Sequence, residues 1–298
     1  EGAQYAADKE GKVNIHFTVS PEHRSAFEAM LAEKVSALEE QWGVSFHVTL
    51  SEQKPSTDTL AVTLDNQPYR ENGHLVFRPA GHGALIENLN EMDADVVFIK
   101  NIDNVVPTSL RETTVRYKKI IGGCLVKLQR QIASYIQQLR SGRYTSSDLQ
   151  EMLSYLHDTL NVRHESVGVE ETTVLAEYLL SKFNRPLRVC GVVKNDGEPG
   201  GGPYITYNAD NTTSPQILEA AQIDPTDTAM TALAKSGSHF NPVDLVCYIK
   251  DVDGKKFDLK RFVDKDTGLI SEKSKSGVTV KALELPGLWN GSMSDWNT

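Results

Sequence analysis

The sequence predicts an α/β fold, with a mixed, mostly parallel sheet interrupted by a helical insertion. In the first hundred residues, short segments with strand periodicity alternate with segments of helical periodicity. From about Thr113, apolar residues repeat at helical spacing over a long stretch. The chain has 298 residues, of which 39% are hydrophobic and 24% charged. This composition is typical of a globular protein with one large or two small domains.

A first βαβ unit is predicted near the start of the chain. Residues 13–19 and 44–50 each alternate apolar and polar side chains, as half-buried strands do. Between them, Ser20 can cap a helix that begins at Pro21 and ends at Gly43. That helix carries one apolar stripe, formed by Phe27, Leu31, Leu38 and Trp42. Two strands joined through a helix are expected to be parallel neighbours.

A second βαβ unit is predicted from a strand at residues 75–77, a helix at 83–92 and a strand at 96–102. Its helix follows the loop Gly81-His82-Gly83, and its second strand leads into Asp103. In a parallel crossover both positions lie at the carboxyl edge of the sheet, where ligands of open α/β sheets bind. We therefore expect the glycine loop and Asp103 to meet at a ligand site.

Three further helices are predicted between residues 113 and 184. The first has apolar residues at helical spacing, Ile121, Leu125, Leu128, Ile132 and Leu139. The second is predicted to begin at a capping box of Ser147 and Gln150, and the third to span residues 171–183. The predicted organisation is a first part of the α/β core, a helical insertion and a second part of the core, at residues 1–112, 113–184 and 185–298.

The last part of the chain is predicted to return to strands. The predicted strands are at residues 187–194, 204–207 and 243–249. A short helix is predicted to start at Ser214-Pro215, because proline is favoured in the first turn of a helix.

Charge and cysteine content exclude several classes of partner. The formal net charge of −9 makes a nucleic acid or an anionic membrane surface a poor main partner. No apolar stretch approaches the roughly 20 residues that span a bilayer, and no signal peptide is visible. Cys124, Cys190 and Cys247 are far apart and have no metal-binding spacing. We expect buried free thiols and a cytoplasmic location.

Two loops are candidates for ligand and metal binding. Glycines such as Gly81 and Gly83 before a helix let a ligand approach the backbone, whose N–H groups favour anions or a nucleobase edge; the alternative is a tight turn with His82 as a packing residue. Asp103, which has Asn101 and Asn104 beside it, can hold Mg²⁺ at a strand end; the alternative is an Asx turn.

Three other segments carry polar groups. Asp93-Ala94-Asp95 has the form of a glycosyltransferase metal motif, but it precedes its strand and is therefore expected at the opposite edge. In the loop at residues 197–203, Glu198 could accept hydrogen bonds from sugar hydroxyls, and nearby Lys194 could neutralise a phosphate; the alternative is a surface hairpin. At residues 238–244, a structural turn competes with ligand contacts by His239, Asn241 or Asp244.

Taken in order, these segments resemble the UDP-sugar pyrophosphorylases over roughly residues 13–296. The matching segments are His16-Phe-Thr-Val-Ser20 (the family's "MTS" strand), residues 48–55 ("F.Q...P"), Arg78-Pro-Ala-Gly-His-Gly83 (the uridine-binding loop), Asn101-Ile-Asp-Asn104 ("NIDN") and His239-Phe240-Asn241. The segments GEPGGGP and SHFNPVD most resemble sequences of a bacterial family of unknown function in the same clan.

The resemblance implies a Rossmann-like sheet and an activity. A sugar-1-phosphate nucleotidyltransferase converts a nucleoside triphosphate and a sugar 1-phosphate into a nucleotide sugar and pyrophosphate, with Mg²⁺ as cofactor. The partners it implies are UTP or a nucleotide sugar. The implied substrate-binding residues are Arg78, Gly81, His82, Gly83, Asn101, Asn104, Glu198, Gly200, Gly201, His239 and Asn241. The implied catalytic residues are Lys194, which would contact phosphate, and Asp103, which would also bind the metal. Asn241 is implied as a second metal ligand.

The family's glycine-rich triphosphate loop lies upstream of the "MTS" strand, and residues 1–12 do not match it. We therefore expect the chain to be a fragment that is inactive by itself, so whether the chain is an enzyme stays open. The alternatives are a non-catalytic protein that binds nucleotide sugars and an interaction domain organised by the helical insertion. Base identity, sugar identity and oligomeric state do not follow from the sequence.

Overall fold

The computed structural model describes residues 1–164, 167, 171–197, 200–275 and 277–298. The α-helices in these residues are α1 (Gly2–Tyr5), α2 (Pro21–Trp42), α3 (Ile86–Glu91), α4 (Arg111–Ser141), α5 (Ser146–Asp158), α6 (Thr172–Phe183) and α7 (Thr228–Lys235). The strands are β1 (Lys12–Thr18), β2 (Ser45–Ser51), β3 (Thr59–Leu60), β4 (Arg70–Glu71), β5 (His74–Leu75), β6 (Phe77–Arg78), β7 (Val96–Lys100), β8 (Arg163–His164), β9 (Leu187–Cys190), β10 (Val193–Lys194), β11 (Gly202–Tyr207), β12 (Thr212–Leu218), β13 (His239–Phe240), β14 (Asp244–Tyr248), β15 (Leu269–Lys275) and β16 (Val278–Glu284).

The chain forms two compact units, each assembled from three separate segments. Unit 1 consists of Glu1–Met92, Val106–Ile120 and Gly268–Leu288. Unit 2 consists of Asp93–Val105, Ile121–Thr267 and Trp289–Thr298. The domain boundaries predicted at residues 112 and 184 stay a prediction.

The first predicted βαβ element is present in unit 1. Strands β1 and β2 are parallel, with Val13 opposite Phe46 in the register. Helix α2 joins them and ends at Gly43, which has the left-handed backbone conformation of a helix C-cap, with φ +61°. Pro21 lies in the first turn, as predicted.

The apolar stripe of α2 is less buried than its pattern indicates. No residue of this helix is fully buried, and Leu38 is 40% exposed. Phe27 makes an edge-to-face contact with Phe17 of β1, with the ring centroids 4.9 Å apart. A sheet of two strands offers too little surface to cover the whole stripe, which explains the difference.

The second predicted βαβ unit is not confirmed. Its helix is present as a 3₁₀ turn, His82–Leu85, followed by α3. However, β5 and β6 pair antiparallel with β4 and β3, whereas β7 pairs antiparallel with β14 in unit 2. The predicted meeting of Gly81 and Asp103 at one sheet edge required a parallel pair of β6 and β7, and the described strands do not form that pair.

Unit 2 contains two antiparallel three-stranded sheets, in the orders β7–β14–β9 and β11–β12–β8. Over the described residues, the paired strands form small and mostly antiparallel sheets, with β1–β2 as the parallel exception. The architecture is thus a mixture of helices and strands, and the mostly parallel Rossmann-like sheet is not confirmed. The central strand β14 is buried at Leu245, Val246 and Cys247, which explains its continuous apolar sequence.

The helices α4, α5 and α6 supply most of the core of unit 2. Its buried members include Leu125, Ile132, Ile136, Leu139, Leu149, Met152, Leu156, Leu175, Leu179, Phe183 and Val246. The predicted helical periodicity after residue 113 is therefore confirmed in this unit, where Leu125, Ile132 and Leu139 are buried.

Two local predictions are wrong. The capping box of α5 is formed by Thr145 and Asp148, not by Ser147 and Gln150. Ser214-Pro215 lies inside strand β12, not at the start of a helix. In the described residues, strand β12 pairs with β8 at Thr212 and Thr213 and not at Pro215. Pro215 has no N–H group, and on that side of the strand no ladder hydrogen bond needs one.

The cysteine prediction holds in part. Cys247 is buried, but Cys124 on α4 is exposed. Burial raises the pKa of the Cys190 thiol, so this group resists ionisation. Within the described residues, no helix is long and apolar enough to cross a membrane.

Candidate functional site

The glycine loop of unit 1 is tied to the segment that follows β16. Ala80 accepts a hydrogen bond from the Leu285 N–H at 2.9 Å. The Leu288 N–H donates to His82 Nδ1 at 3.0 Å. The His82 ring therefore acts as a structural acceptor in this unit, consistent with the packing alternative.

The local structure explains why both Gly81 and Gly83 are glycine. Gly81 has φ +78° and ψ −176°, a backbone conformation that is essentially restricted to glycine. A Cβ atom at Gly83 would lie 2.1 Å from the Pro286 carbonyl oxygen. The close approach at Gly83 is thus made by the chain itself. Arg78, also predicted as a site residue, is half-buried on β6.

A polar cluster lies at the carboxyl ends of the parallel strands β1 and β2. The His16 ring contacts Thr49 Oγ1 through Nδ1 and Ser51 Oγ through Nε2, each at 2.7 Å. Partial burial lowers the pKa of His16, which favours the neutral ring. Asn88 on α3 donates to Ser51 Oγ at 2.8 Å and to the Glu52 carbonyl oxygen at 2.9 Å.

Two amide atoms beside this cluster are buried and have no hydrogen-bond partner among the described residues. They are Gln53 Nε2, a donor, and Asn88 Oδ1, an acceptor. The two donations from Asn88 fix its amide orientation and leave its oxygen unpaired. Buried polar groups are normally satisfied, so an unpaired donor and an unpaired acceptor in one unit need an explanation.

The sequence prediction did not assign a role to Gln53 or Asn88. Gln53 lies inside the segment 48–55 that resembles "F.Q...P", so the motif itself was the available signal. Asn88 lies between the buried residues Ile86 and Leu89 on α3, and a polar residue beside an inward-facing position was a second signal.

In unit 2, the structure brings several predicted residues together. The Asn104 side chain donates to the Pro242 carbonyl oxygen. The Asn241 N–H donates to the Gly201 carbonyl oxygen at 2.7 Å, and Lys194 lies opposite His239 in the β10–β13 pair. Lys194 and His239 are both exposed.

Asn241 holds a strained turn. Its side-chain amide donates to the Gly191 carbonyl oxygen at 2.6 Å, and its Oδ1 accepts from the Val243 N–H at 3.0 Å. Val243 has φ +54°, an unfavourable value for a β-branched residue. Asn241 is only 2% exposed. These contacts correspond to the structural turn that competed with ligand binding in the prediction.

The other predicted residues of unit 2 are spread over loops. Asp103 is exposed and accepts a hydrogen bond from Asn101 at 3.3 Å. A Cβ at Gly200 would lie 3.1 Å from the Phe240 ring, and one at Gly201 would lie 2.7 Å from Ile217 Cγ2. The predicted residue Glu198 lies outside the described residues.

The predicted Mg²⁺ ligands do not form a metal-binding cluster. No group of three or more His, Cys, Asp or Glu side chains suited to a metal occurs in the part of the chain that the structure describes. The Asn241 amide is already engaged in two hydrogen bonds. Mg²⁺ binding therefore stays a prediction.

Asp93 and Asp95 form ion pairs with Lys250. Their carboxylates lie 3.1 and 2.9 Å from Lys250 Nζ. Hydrogen bonds to Asp95 and Asp93 raise the pKa of Lys250. Lys250 thus supplies a positive partner for both carboxylates. The metal motif of Asp93 and Asp95 stays a discounted prediction.

Comparison with solved structures finds UDP-glucose pyrophosphorylases of Leishmania major. One mutant in complex with UDP-glucose is 14% identical, with a TM-score of 0.44; the match covers 94% of this chain and 49% of that chain. A second mutant in complex with UDP-glucose is 14% identical, with a TM-score of 0.45 and coverage of 95% and 50%. The chain thus spans about half the length of these structures.

The family of the chain follows from comparison with protein-family models. No curated protein matches the chain. The family described as "Domain of unknown function (DUF4301)" matches residues 1–298. The chain therefore belongs to the DUF4301 family.

Proposed function

We propose that unit 1 binds the uracil edge of a nucleotide sugar or of UTP, as part of a sugar-1-phosphate nucleotidyltransferase. The order of the sequence motifs supports the class of ligand. The single observation that carries the proposal is that Gln53 Nε2 and Asn88 Oδ1 are buried and have no hydrogen-bond partner among the described residues. Both lie in the unit that also contains the Gly81–Gly83 loop.

The chemistry of the two atoms matches a uracil ring. Uracil presents an N–H donor next to carbonyl acceptors on one edge. Asn88 Oδ1 would accept from the ring N–H, and Gln53 Nε2 would donate to a neighbouring carbonyl. Leaving a buried polar group unpaired costs about 1–3 kcal/mol, so a ligand that satisfies both atoms gains specificity as well as affinity.

The position of the couple also supports the proposal. Asn88 donates to the Glu52 carbonyl oxygen, and Glu52 is the chain neighbour of Gln53. Gln53 follows the carboxyl end of the parallel strand β2, the edge at which α/β proteins bind ligands, and Asn88 bonds Ser51 at that strand end. The helix that carries Asn88 begins directly after the glycine loop and its 3₁₀ turn.

The proposed reaction needs no side-chain nucleophile. A phosphate oxygen of the sugar 1-phosphate attacks the α-phosphorus of UTP, the bond to the β-phosphate oxygen breaks, and pyrophosphate leaves. Catalysis of such a step consists of positioning and neutralisation of charge. Within unit 2, a phosphate contact by Lys194 stays a separate proposal that the uracil site does not depend on. The chain spans about half of the structures it matches, so the activity of the whole protein belongs to this proposal.

The binding test is calorimetry of the 298-residue chain with UTP, UDP-glucose and UDP-N-acetylglucosamine. We expect binding that Gln53→Met weakens by about tenfold, as for loss of one hydrogen bond from a buried polar group. The unfolding temperature should not fall, because Gln53 Nε2 has no partner to lose among the described residues. Gln67→Met, at an exposed position, is the matched control and should bind normally.

Two results would overturn the uracil proposal: no binding of any uridine nucleotide, or unchanged binding by Gln53→Met. A pyrophosphate-release assay with UTP and glucose 1-phosphate then separates enzyme from binding protein. Binding without pyrophosphate release by the full-length protein would identify the non-catalytic alternative.

A further inference from the structure

A cavity in unit 2 has a lining that the proposed function does not use. Its volume is about 330 Å³, and it is lined by His164, Tyr178, Lys182, Arg185, Asp210 and Asp295, together with Ser181 and Val167. Small-molecule sites have volumes of about 300–1,000 Å³, so this cavity can hold a small metabolite. None of the predicted site residues is among these lining residues.

The two cations of the lining are buried and already neutralised. Lys182, with a side chain only 8% exposed, pairs with Asp210. Arg185, 7% exposed, pairs with Asp295 at 2.6 Å and donates to the Asn297 side chain at 2.9 Å. Two positive and two negative charges leave no net charge to attract an anion.

The carboxylates are the accessible charged groups. The side chains of Asp210 and Asp295 are 50% and 54% exposed. Partial burial raises the pKa of Asp210, but hydrogen bonds from Lys182 and Thr212 outweigh that effect and lower it to about 2. Asp210 is therefore ionised at neutral pH. A ligand that reaches these carboxylates must offer hydrogen-bond donors, and a phosphate would be repelled.

Tyr178 supplies an unsatisfied neutral hydroxyl. Its hydroxyl oxygen is buried and has no hydrogen-bond partner among the described residues. Burial and the nearby Asp210 raise the pKa of Tyr178 to about 12, so the group stays protonated and can donate. Its ring packs edge-to-face against His164, with centroids 6.4 Å apart, and provides a flat apolar surface.

We propose that this cavity is a binding site for a neutral polyhydroxy compound of monosaccharide size. Hydroxyl groups donate to Asp210 and Asp295 and accept from Tyr178, while the C–H face of the compound packs against the aromatic rings. An anion lacks the donors that the carboxylates require. A small ammonium ion lacks the acceptor that Tyr178 requires.

The test uses ligand-observed NMR on the 298-residue chain, with D-glucose, D-galactose, N-acetylglucosamine and myo-inositol as probes. Inorganic phosphate and methylammonium serve as the anionic and cationic probes. We expect at least one neutral probe to bind, and neither charged probe to compete with it.

Tyr178→Phe removes only the unpaired hydroxyl. We expect it to weaken binding of the neutral probe by about fivefold to tenfold, as for loss of one hydrogen bond. The unfolding temperature should be unchanged or higher, since no partner among the described residues is lost. Tyr207→Phe, at a tyrosine that is 89% exposed, is the control and should change neither property.

A second variant tests occupancy of the cavity without touching a charged group. Ser181 is exposed at the cavity, and among the described residues its hydroxyl donates only to the Tyr178 carbonyl oxygen of its own helix. Ser181→Phe should fill the cavity, preserve the fold and abolish probe binding. Failure of all neutral probes, preference for phosphate or methylammonium, or full binding by Ser181→Phe would each overturn the proposal. UDP-glucose binding that depends on Gln53 is unaffected by any of these results, so the two proposals fail separately.

Discussion

At the scale of single residues, Gly83 illustrates a motif residue with a packing role. A Cβ at this position would lie 2.1 Å from the Pro286 oxygen and 2.7 Å from the Leu285 oxygen, both backbone atoms that cannot rotate away. The sequence motif assigned Gly83 to ligand access, whereas the structure gives it an internal neighbour. Both roles can coexist, but only the packing role predicts a loss of stability in the ligand-free protein.

We expect Gly83→Ala to destabilise the ligand-free protein by about 1–3 kcal/mol, because the backbone must shift to accept the methyl group. Chemical denaturation measures the change. Gly123→Ala is the matched control: that glycine is exposed on α4, with no atom within 4 Å of the added Cβ. It should stabilise the protein by up to about 1 kcal/mol through helix propensity. Equal stability of Gly83→Ala and the wild type would contradict the packing role.

At the scale of elements, the N-terminus of α5 shows which of two possible capping boxes the chain forms. Ser147 and Gln150 fit the spacing of a capping box, but Thr145 and Asp148 form the observed one. The Asp148 N–H donates to Thr145 Oγ1 at 3.2 Å, and the Thr145 N–H donates to Asp148 Oδ2 at 2.6 Å. The helix thus begins at Ser146, one residue before the serine that was predicted to cap it.

Thr145→Ala should destabilise unit 2 by about 1 kcal/mol, since it removes the acceptor for one exposed N–H of the first turn. Ser147→Ala is the control and should be neutral or slightly stabilising, because alanine has the higher helix propensity. Thermal unfolding of the two variants distinguishes them. A larger loss in Ser147→Ala would support the sequence-based capping box instead.

Local patterns predicted the elements better than their pairing. Periodicity located α4 and α6, because each buries one face and the sequence records that face. Alternation located β1 and β2, the signals at its two ends located α2, and a continuous apolar run located β14. The partner of β7 was wrong, since an apolar strand pairs equally well with a parallel or an antiparallel neighbour. β14 lies more than 140 residues farther along the chain, and nothing local to β7 identifies it.

The candidate site was predictable only where a motif named a residue type. Residues 78–83 were identified by their similarity to a family motif. Asn88 belongs to no motif, and its buried oxygen without a partner among the described residues identified it in the structure. Lys182 and Arg185 read as ordinary positions of a helix end, and their partners Asp210 and Asp295 lie 28 and 110 residues away. Such couples depend on tertiary contacts that sequence spacing does not encode.

At the scale of the whole molecule, both units depend on the last part of the chain. The β15–β16 hairpin and the segment that anchors the glycine loop belong to unit 1, and Trp289–Thr298 belongs to unit 2. In unit 2, buried Arg188 donates to the Trp289 carbonyl oxygen at 2.7 Å and to Thr298 Oγ1 at 3.0 Å.

A chain that ends at Thr267 should therefore lose cooperative unfolding in both units. The deletion leaves buried Arg188 and Arg185 without several acceptors, and each unpaired buried group costs about 1–3 kcal/mol. Hydrogen exchange measured across the chain would report protection lost in both units. Adding a peptide of residues 268–298 should restore part of it. Unchanged exchange protection in the truncated chain would refute this dependence.

The contact between Gly83 and Pro286 also bears on how relatives of this chain diverge. A glycine that is required for folding is retained by selection on stability alone, even in a lineage that no longer binds a nucleotide. A relative that lacks the proposed ligand site would then keep an intact Gly81–Gly83 motif. Under the uracil proposal, loss of the ligand would be recorded at Gln53, whose Nε2 has no partner among the described residues.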